Sequence, residues 1–210
     1  MSSQDNVNNE ETINLVKKFI ASNQRKRRNL VNDIESSAES LYIVGEEIIN
    51  NVDREGDDWC IGWVLQVLKK YKPNFFDKDI YNNWYYTKSG INLNYDNLQL
   101  NLLKQNFEEA DRLTSAYLRK LAGKVAENRG YVFYSEVKDM PDEDLVTIDR
   151  LWNIYSQGKF GFSNQAKLLK SVGKRYDLLW PKIGWKKDGI WTRYPTSFCW
   201  SLKAPEGHMP

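Results

Sequence analysis

The sequence predicts an all-α protein, a small N-terminal helical bundle followed by a second, mostly helical domain with long loops. Three observations predict it. Apolar residues recur at i, i+3 and i+4 along most of the chain. Between Lys72 and about Asn94, Pro73, an Asn-rich stretch and Ser89-Gly90 indicate an irregular connector, placed at 76–93, that separates two such regions. The one strand-like run, Tyr131-Val132-Phe133-Tyr134, has no partner run with a hairpin turn, so it is expected as an extended segment or short helix.

In chain order, residues 1–9 are polar and Asn-rich and are expected as a disordered tail. The bundle occupies 10–75. Its apolar stripes are Ile13, Val16, Phe19 and Ile20, then Leu41, Val44, Ile48 and Ile49, then Trp59, Trp63, Val64, Val67 and Leu68, with Asp57 or Asp58 capping the last. Arg25-Lys26-Arg27-Arg28 between these helices is expected as a solvated helix face or turn rather than a site for an anionic partner. The connector at 76–93 leads to a domain at 94–210. That domain opens with Tyr95, Leu98, Leu102 and Leu103 on one helix, and Phe107 to Leu121 form the next, with Gly123 at its C-terminal end. Met140-Pro141-Asp142-Glu143-Asp144 starts a helix with acids at its positive dipole end and Ile148, Leu151, Trp152 and Tyr155 as its stripe. Gly158 can end it, and Ser163 is expected to cap a helix running to Val172. A short helical segment ends near Trp180-Pro181, and the rest is expected to be irregular.

Composition removes most enzyme classes. The 210 residues carry a formal net charge of +2, too little field for a nucleic-acid surface. The single histidine, His208, is near the end, where a chain is usually mobile, so a rigid imidazole-based catalytic or metal site is not expected. No Gly-rich phosphate loop is present. Cys60 and Cys199 are far apart in sequence and are expected as buried thiols of a reducing compartment. No apolar run approaches the ~18 residues of a membrane span. The start, MSSQDNVNNEE, resembles neither a signal nor a transit peptide, so the chain is expected to act where it is made.

What stands out is the aromatic content, eight Trp, twelve Tyr and eight Phe. In the segment from Gly184 to Pro195, Trp185, Ile190, Trp191 and Tyr194 alternate with Lys186, Lys187 and Arg193, around Gly189 as a hinge. Such a loop can tuck its rings into a core, stack nucleic-acid bases, or cover the face of a large planar carboxylated ligand while a cation meets a carboxylate. Burying about 400 Å² of such a ligand at about 25 cal/mol per Å² yields on the order of 10 kcal/mol before association costs.

Asp144-Leu145-Val146-Thr147-Ile148-Asp149-Arg150-Leu151-Trp152, with Tyr155-Ser156-Gln157-Gly158-Lys159-Phe160-Gly161-Phe162-Ser163-Asn164-Gln165, resembles the signature of the Genomes Uncoupled Four family. So do Leu179-Trp180-Pro181-Lys182-Ile183-Gly184-Trp185, Trp191-Thr192-Arg193-Tyr194 and the closing Ala204-Pro205-Glu206-Gly207-His208-Met209-Pro210. Leu102 to Asp111, followed by Thr114, is similar to its opening helices. The resemblance implies a domain shaped like a cupped hand that binds protoporphyrin IX and its magnesium derivative. It also implies a non-enzymatic regulator of magnesium chelatase, acting with that enzyme's large porphyrin-binding subunit. A helical bundle ahead of the core fits such a protein, as does an algal plastid stroma or a cyanobacterial cytoplasm, and peripheral membrane contact is compatible with it. The resemblance places Tyr134 and Val137 in the porphyrin site, with Phe160 and Phe162 on the palm side, Ile190 and Trp191 from the loop, and Arg193 for a propionate. Many relatives continue into a basic tail where this sequence stops at Pro210, which would leave Arg193, Lys186 and Lys187 as the cations. Trp152 is expected in the core, and Asp111 and Asp149 in helix-surface or buried hydrogen-bonding roles rather than functional ones. Two other readings are an aromatic groove for a protein partner's helix or peptide, and an enzyme with paired carboxylates of perturbed pKa in the cleft.

Overall fold

The wholly apolar run Trp59-Cys60-Ile61-Gly62-Trp63-Val64-Leu65 has no polar face to give to water, so the helix that carries it has to lie inside the molecule. In the computed structural model, which describes residues 3–76 and 82–210, it does. Helix α4 (Trp59–Tyr71) is buried from Trp59 through Leu68. On one side it meets α1 (Ser3–Ala21), α2 (Gln24–Ser36) and α3 (Ala38–Asn50); on the other, α5 (Asp96–Leu103) and α8 (Asp142–Tyr155). One continuous cluster of buried side chains runs from Val16 and Phe19 through α4 to Trp152, Phe160 and Met209. The regular structure among the described residues is thus almost entirely helical, as the spacing of the apolar residues predicts.

Close approach and polar clasps join the two sides of α4. Gly62 makes the approach possible, since a Cβ there would lie 2.5 Å from the Ile154 carbonyl oxygen of α8. Gln66, buried, donates to the carbonyls of Leu102 at 2.9 Å and Tyr155 at 2.8 Å. Gln99, also buried, accepts from the Tyr85 amide and the Tyr155 hydroxyl. Each of these groups is satisfied inside the protein, as burial demands.

The remaining described elements are a 3-10 turn at Pro73–Phe76, α6 (Phe107–Leu121), α7 (Lys124–Arg129), a 3-10 turn at Tyr134–Asp139, α9 (Phe162–Ser171), α10 (Tyr176–Lys182), and a two-stranded antiparallel ribbon of β1 (Lys186–Lys187) and β2 (Ile190–Trp191). Asp58 caps α4 by accepting from the Cys60 amide. The strand-like run at 131–134 is extended and then enters the 3-10 turn, without a partner strand. Arg25 to Arg28 open α2; Arg27 pairs with Asp58 at 3.0 Å and the others are exposed.

Several expectations need correction. Helix α1 already runs from Ser3, so residues 3–9 are helical: extending a packed helix adds a hydrogen bond per residue without a new nucleus. Residues 1–2 of that expected tail and 77–81 of the connector lie outside the described residues. Ser163 does not cap α9. The N-cap is Gly161 at φ +119°, and the amide of Ser163 donates instead to Asp149 Oδ1 of α8, at 2.9 Å. Cys199 is exposed, because its loop turns the thiol toward Ser201 Oγ at the surface. His208 is fixed and 2 % exposed, held by the packed C-terminal block. Lastly, Asp188 and Gly189 both take positive φ and close a tight hairpin in a segment expected to be irregular.

Candidate functional site

Helices α6, α8 and α9 and the 131–140 segment enclose an open groove of about 560 Å³. Helix α8 contributes Leu145, Val146 and Asp149, which share a face by their i, i+1, i+4 spacing. Opposite them stand Val132, Phe133, Tyr134 and Val137, with Met140 closing that segment; Leu118 of α6 and Phe162 of α9 complete the lining. Apart from Asp149, every lining side chain is apolar or aromatic, and the volume is in the range of small-molecule sites. Tyr134 is 96 % exposed and so presents nearly its whole ring to whatever enters.

The 131–136 arm is held in place by Arg129. Its guanidinium lies over the rings of Tyr131 and Phe133, at 4.7 and 4.0 Å from their centroids, and pairs with Glu136 at 2.6 Å. That bond, with the Phe133 amide, pulls the Glu136 carboxyl below its ordinary range. The arm therefore presents its aromatics in a set geometry while they remain open to solvent.

Of the sequence-predicted site residues, Tyr134, Val137 and Phe162 line this groove. Phe160 lies elsewhere. It is 0 % exposed, set edge-on against Phe107 and Trp152, because the turn at Gly161 sends successive phenylalanines to opposite sides. Trp152 is in the core and donates to Thr114 Oγ1 at 2.9 Å. Ile190 (74 % exposed), Trp191 (55 % exposed) and Arg193 lie on and just after the hairpin. Arg193 has no ion-pair partner among the described residues.

The hairpin stands on an aromatic ladder. Tyr176 stacks on Trp180, which stacks on Trp185 at 5.5 Å and meets Trp191 at 5.9 Å. Lys186 and Trp191 are cross-strand partners, and the ammonium sits 5.3 Å from the indole centroid. Trp185 donates to the His208 carbonyl at 2.7 Å, which fastens the ladder to the C-terminal block. Beyond the hairpin, Tyr194 donates to Asp111 of α6 at 2.7 Å. Burial pushes the Asp111 carboxyl up, against the opposing pull of that bond. Asp111 is seven residues before Leu118, about 10 Å along the helix at 1.5 Å per residue, so the loop is tied near one end of the groove.

Sequence reasoning missed Leu118, Val132, Phe133, Met140, Leu145, Val146 and Asp149 as lining residues. Val146 carried a usable signal. It is apolar, exposed and off the Ile148-Leu151-Trp152-Tyr155 stripe, and beside Phe133, Tyr134 and Val137, which are exposed too, it belongs to a contiguous apolar patch of the kind that marks a contact surface. Among the described residues no group of acids, cysteines or histidines is arranged to hold a metal ion. Asp149 is the one carboxylate lining the groove, so the paired acids of an enzymatic reading are not found together there. No helix among the described residues is long and apolar enough to cross a membrane.

The sequence model of the GUN4-like family matches residues 88–210, which contain every groove-lining residue and the whole hairpin. The chain is 38 % identical over 172 residues to the Ycf53-like protein of Synechocystis sp., covering 80 % of this chain and 74 % of that one. It is also 38 % identical over 125 residues to the chloroplastic tetrapyrrole-binding protein of Arabidopsis thaliana, covering 55 % of this chain but 47 % of that one. Among solved structures, GUN4 from Chlamydomonas reinhardtii is similar, with a TM-score of 0.59 at 33 % identity over 61 % of this chain and 84 % of that one.

Proposed function

Since the chain belongs to the GUN4-like family, we propose that it binds tetrapyrroles and takes protoporphyrin IX or its magnesium complex into the groove beside α8. On this reading it catalyses no reaction. It regulates magnesium chelatase by exchanging pigment with that enzyme's large porphyrin-binding subunit, in an algal plastid or a cyanobacterial cytoplasm. The name of the Arabidopsis relative supports the ligand class, and the chloroplastic and cyanobacterial relatives support the compartment.

One observation carries the reading: a preformed groove of about 560 Å³, nearly all apolar and flanked by solvent-facing aromatics, within the family-matched part of the chain. Phe162, Val146 and Leu118 would take one face of a flat macrocycle, with Phe133, Tyr134 and Val137 on the other. Ile190 and Trp191 would then cover the ligand's open edge as the tethered hairpin moves over it, and Arg193 would meet a propionate. The groove offers no cation of its own, which fits a ligand whose charged groups stay at the rim.

Titrating the chain with protoporphyrin IX at micromolar concentration should quench tryptophan fluorescence saturably. Trp191→Ala should weaken the apparent affinity by about tenfold, as loss of a contacting indole does at a ligand interface. A fluorescence signal unchanged by pigment would contradict the proposal.

A further inference from the structure

We propose that the start of α6 and the loop at 194–200 form a second binding site, which takes a guanidinium: the arginine side chain of a protein partner. The site shares no lining residue with the groove beside α8, so it stands whether or not that groove takes pigment.

The cavity there measures about 550 Å³, with Phe107, Glu108, Glu109 and Arg112 of α6 on its lining together with Tyr194 and Trp200 of the loop. Tyr194 and Trp200 meet at 75°, their ring centroids 6.0 Å apart, and so make two walls of an aromatic corner. Phe198 stacks on one face of Trp200, at 5.4 Å and 30°, which leaves the other face to the cavity. The Trp200 indole donates to the Pro195 carbonyl at 3.0 Å and the Tyr194 hydroxyl to Asp111 at 2.7 Å, so both rings are held in place. A corner of this kind attracts a cation through the negative faces of its rings.

The charge on the lining has the matching sign. Arg112 is already engaged, since its Nε and Nη2 donate to the two oxygens of Glu109 at 2.7 and 2.6 Å, and that pair is neutral. Glu108 is exposed and has no ion pair among the described residues, which leaves one uncompensated carboxylate in the cavity. Burial and the bond to Asp111 push the Tyr194 phenol up to about 12, and Glu108 adds to the rise, so its charge reaches that ring. The dipole of α6 accounts for acids in its first turn, but not for two rings on the same cavity. A guanidinium uses both features, its flat face stacking on an indole while its N–H edge meets a carboxylate; an ammonium offers only a point charge. The one lining cation is paired, so nothing is left to meet the α-carboxylate of a free amino acid. The site therefore suits an arginine within a polypeptide.

The full chain can be titrated with the end-capped tripeptide Gly-Arg-Gly while the Trp200 indole N–H is followed by two-dimensional NMR. Its resonance should shift saturably at millimolar peptide, and the lysine counterpart should bind several-fold more weakly. Glu108→Gln, at an exposed position where the fold tolerates change, should weaken the arginine peptide about fivefold. A counterpart carrying neutral citrulline that moves the resonance as far would overturn the requirement for a cation. So would a shift that never saturates, or an affinity unchanged in Glu108→Gln. Equal binding of the lysine peptide would overturn the guanidinium, and tighter binding of free arginine would overturn a protein as its source.

Discussion

His208 shows how much one side chain near the end of the chain can hold. The Cys199 amide donates to its Nε2 at 3.2 Å, so the ring proton sits on Nδ1 and is donated to the Ile183 carbonyl at 2.6 Å. Its ring also packs against Phe198, 4.7 Å between centroids. The imidazole therefore ties the end of α10 to the loop after the hairpin while its own carbonyl holds Trp185. His208→Ala leaves the buried Ile183 carbonyl and the part-buried Cys199 amide without their partners and opens a cavity. It should cost about 2–4 kcal/mol, read as a lower denaturant midpoint at unchanged slope. Nothing local in the sequence marks this residue as buried. Its position close to the end of the chain suggests mobility, and its anchors on Ile183 and Cys199 come from elsewhere in the chain. Trp152, by contrast, is legible as core because it sits on a helical apolar stripe.

At the scale of elements, boundaries follow local rules until a neighbour supplies the missing group. Helices α4 and α6 begin and end where periodicity, Asp58 and Gly123 place them. Helix α9 does not, because its Ser163 amide is satisfied by Asp149 from α8 and its entry needs the positive φ of Gly161. Gly161→Ala should therefore destabilise the protein by about 2 kcal/mol or more, through backbone strain and displacement of Asp149. The measurement is thermal unfolding alongside pigment affinity, and both are expected to fall since Phe162 moves with the turn. The hairpin was missed for a different reason. Its strands are two residues each, too short for an alternating pattern, although Asp188-Gly189 is a strong turn signal and both residues take the positive φ it requires.

For the whole molecule, the decisive feature is that α4 serves both halves. Its Gly62 meets the α8 backbone, and Gln66 clasps α5 and α8 from the same helix. Gly62→Ala must push α4 and α8 apart and should cost about 3 kcal/mol, measured by chemical denaturation. Because α8 also carries Leu145, Val146 and Asp149, the same substitution should weaken pigment binding even though Gly62 lines no part of the groove. The N-terminal bundle thereby acts as a brace for the wall that lines the groove. The family was legible from ordered sequence blocks in 94–210, and the family match, over 88–210, contains that stretch.

The amino-acid sequence determined the helical class, most helix limits, the aromatic surplus and the family, because these depend on spacing within a few turns or on ordered motifs. Only the tertiary structure decided which of those residues face a common space. Phe160 and Phe162 share one chemistry and one motif, yet the first is sealed against Trp152 and the second opens on the groove beside Asp149. The physical reason is that burial depends on what packs against a residue from distant parts of the chain.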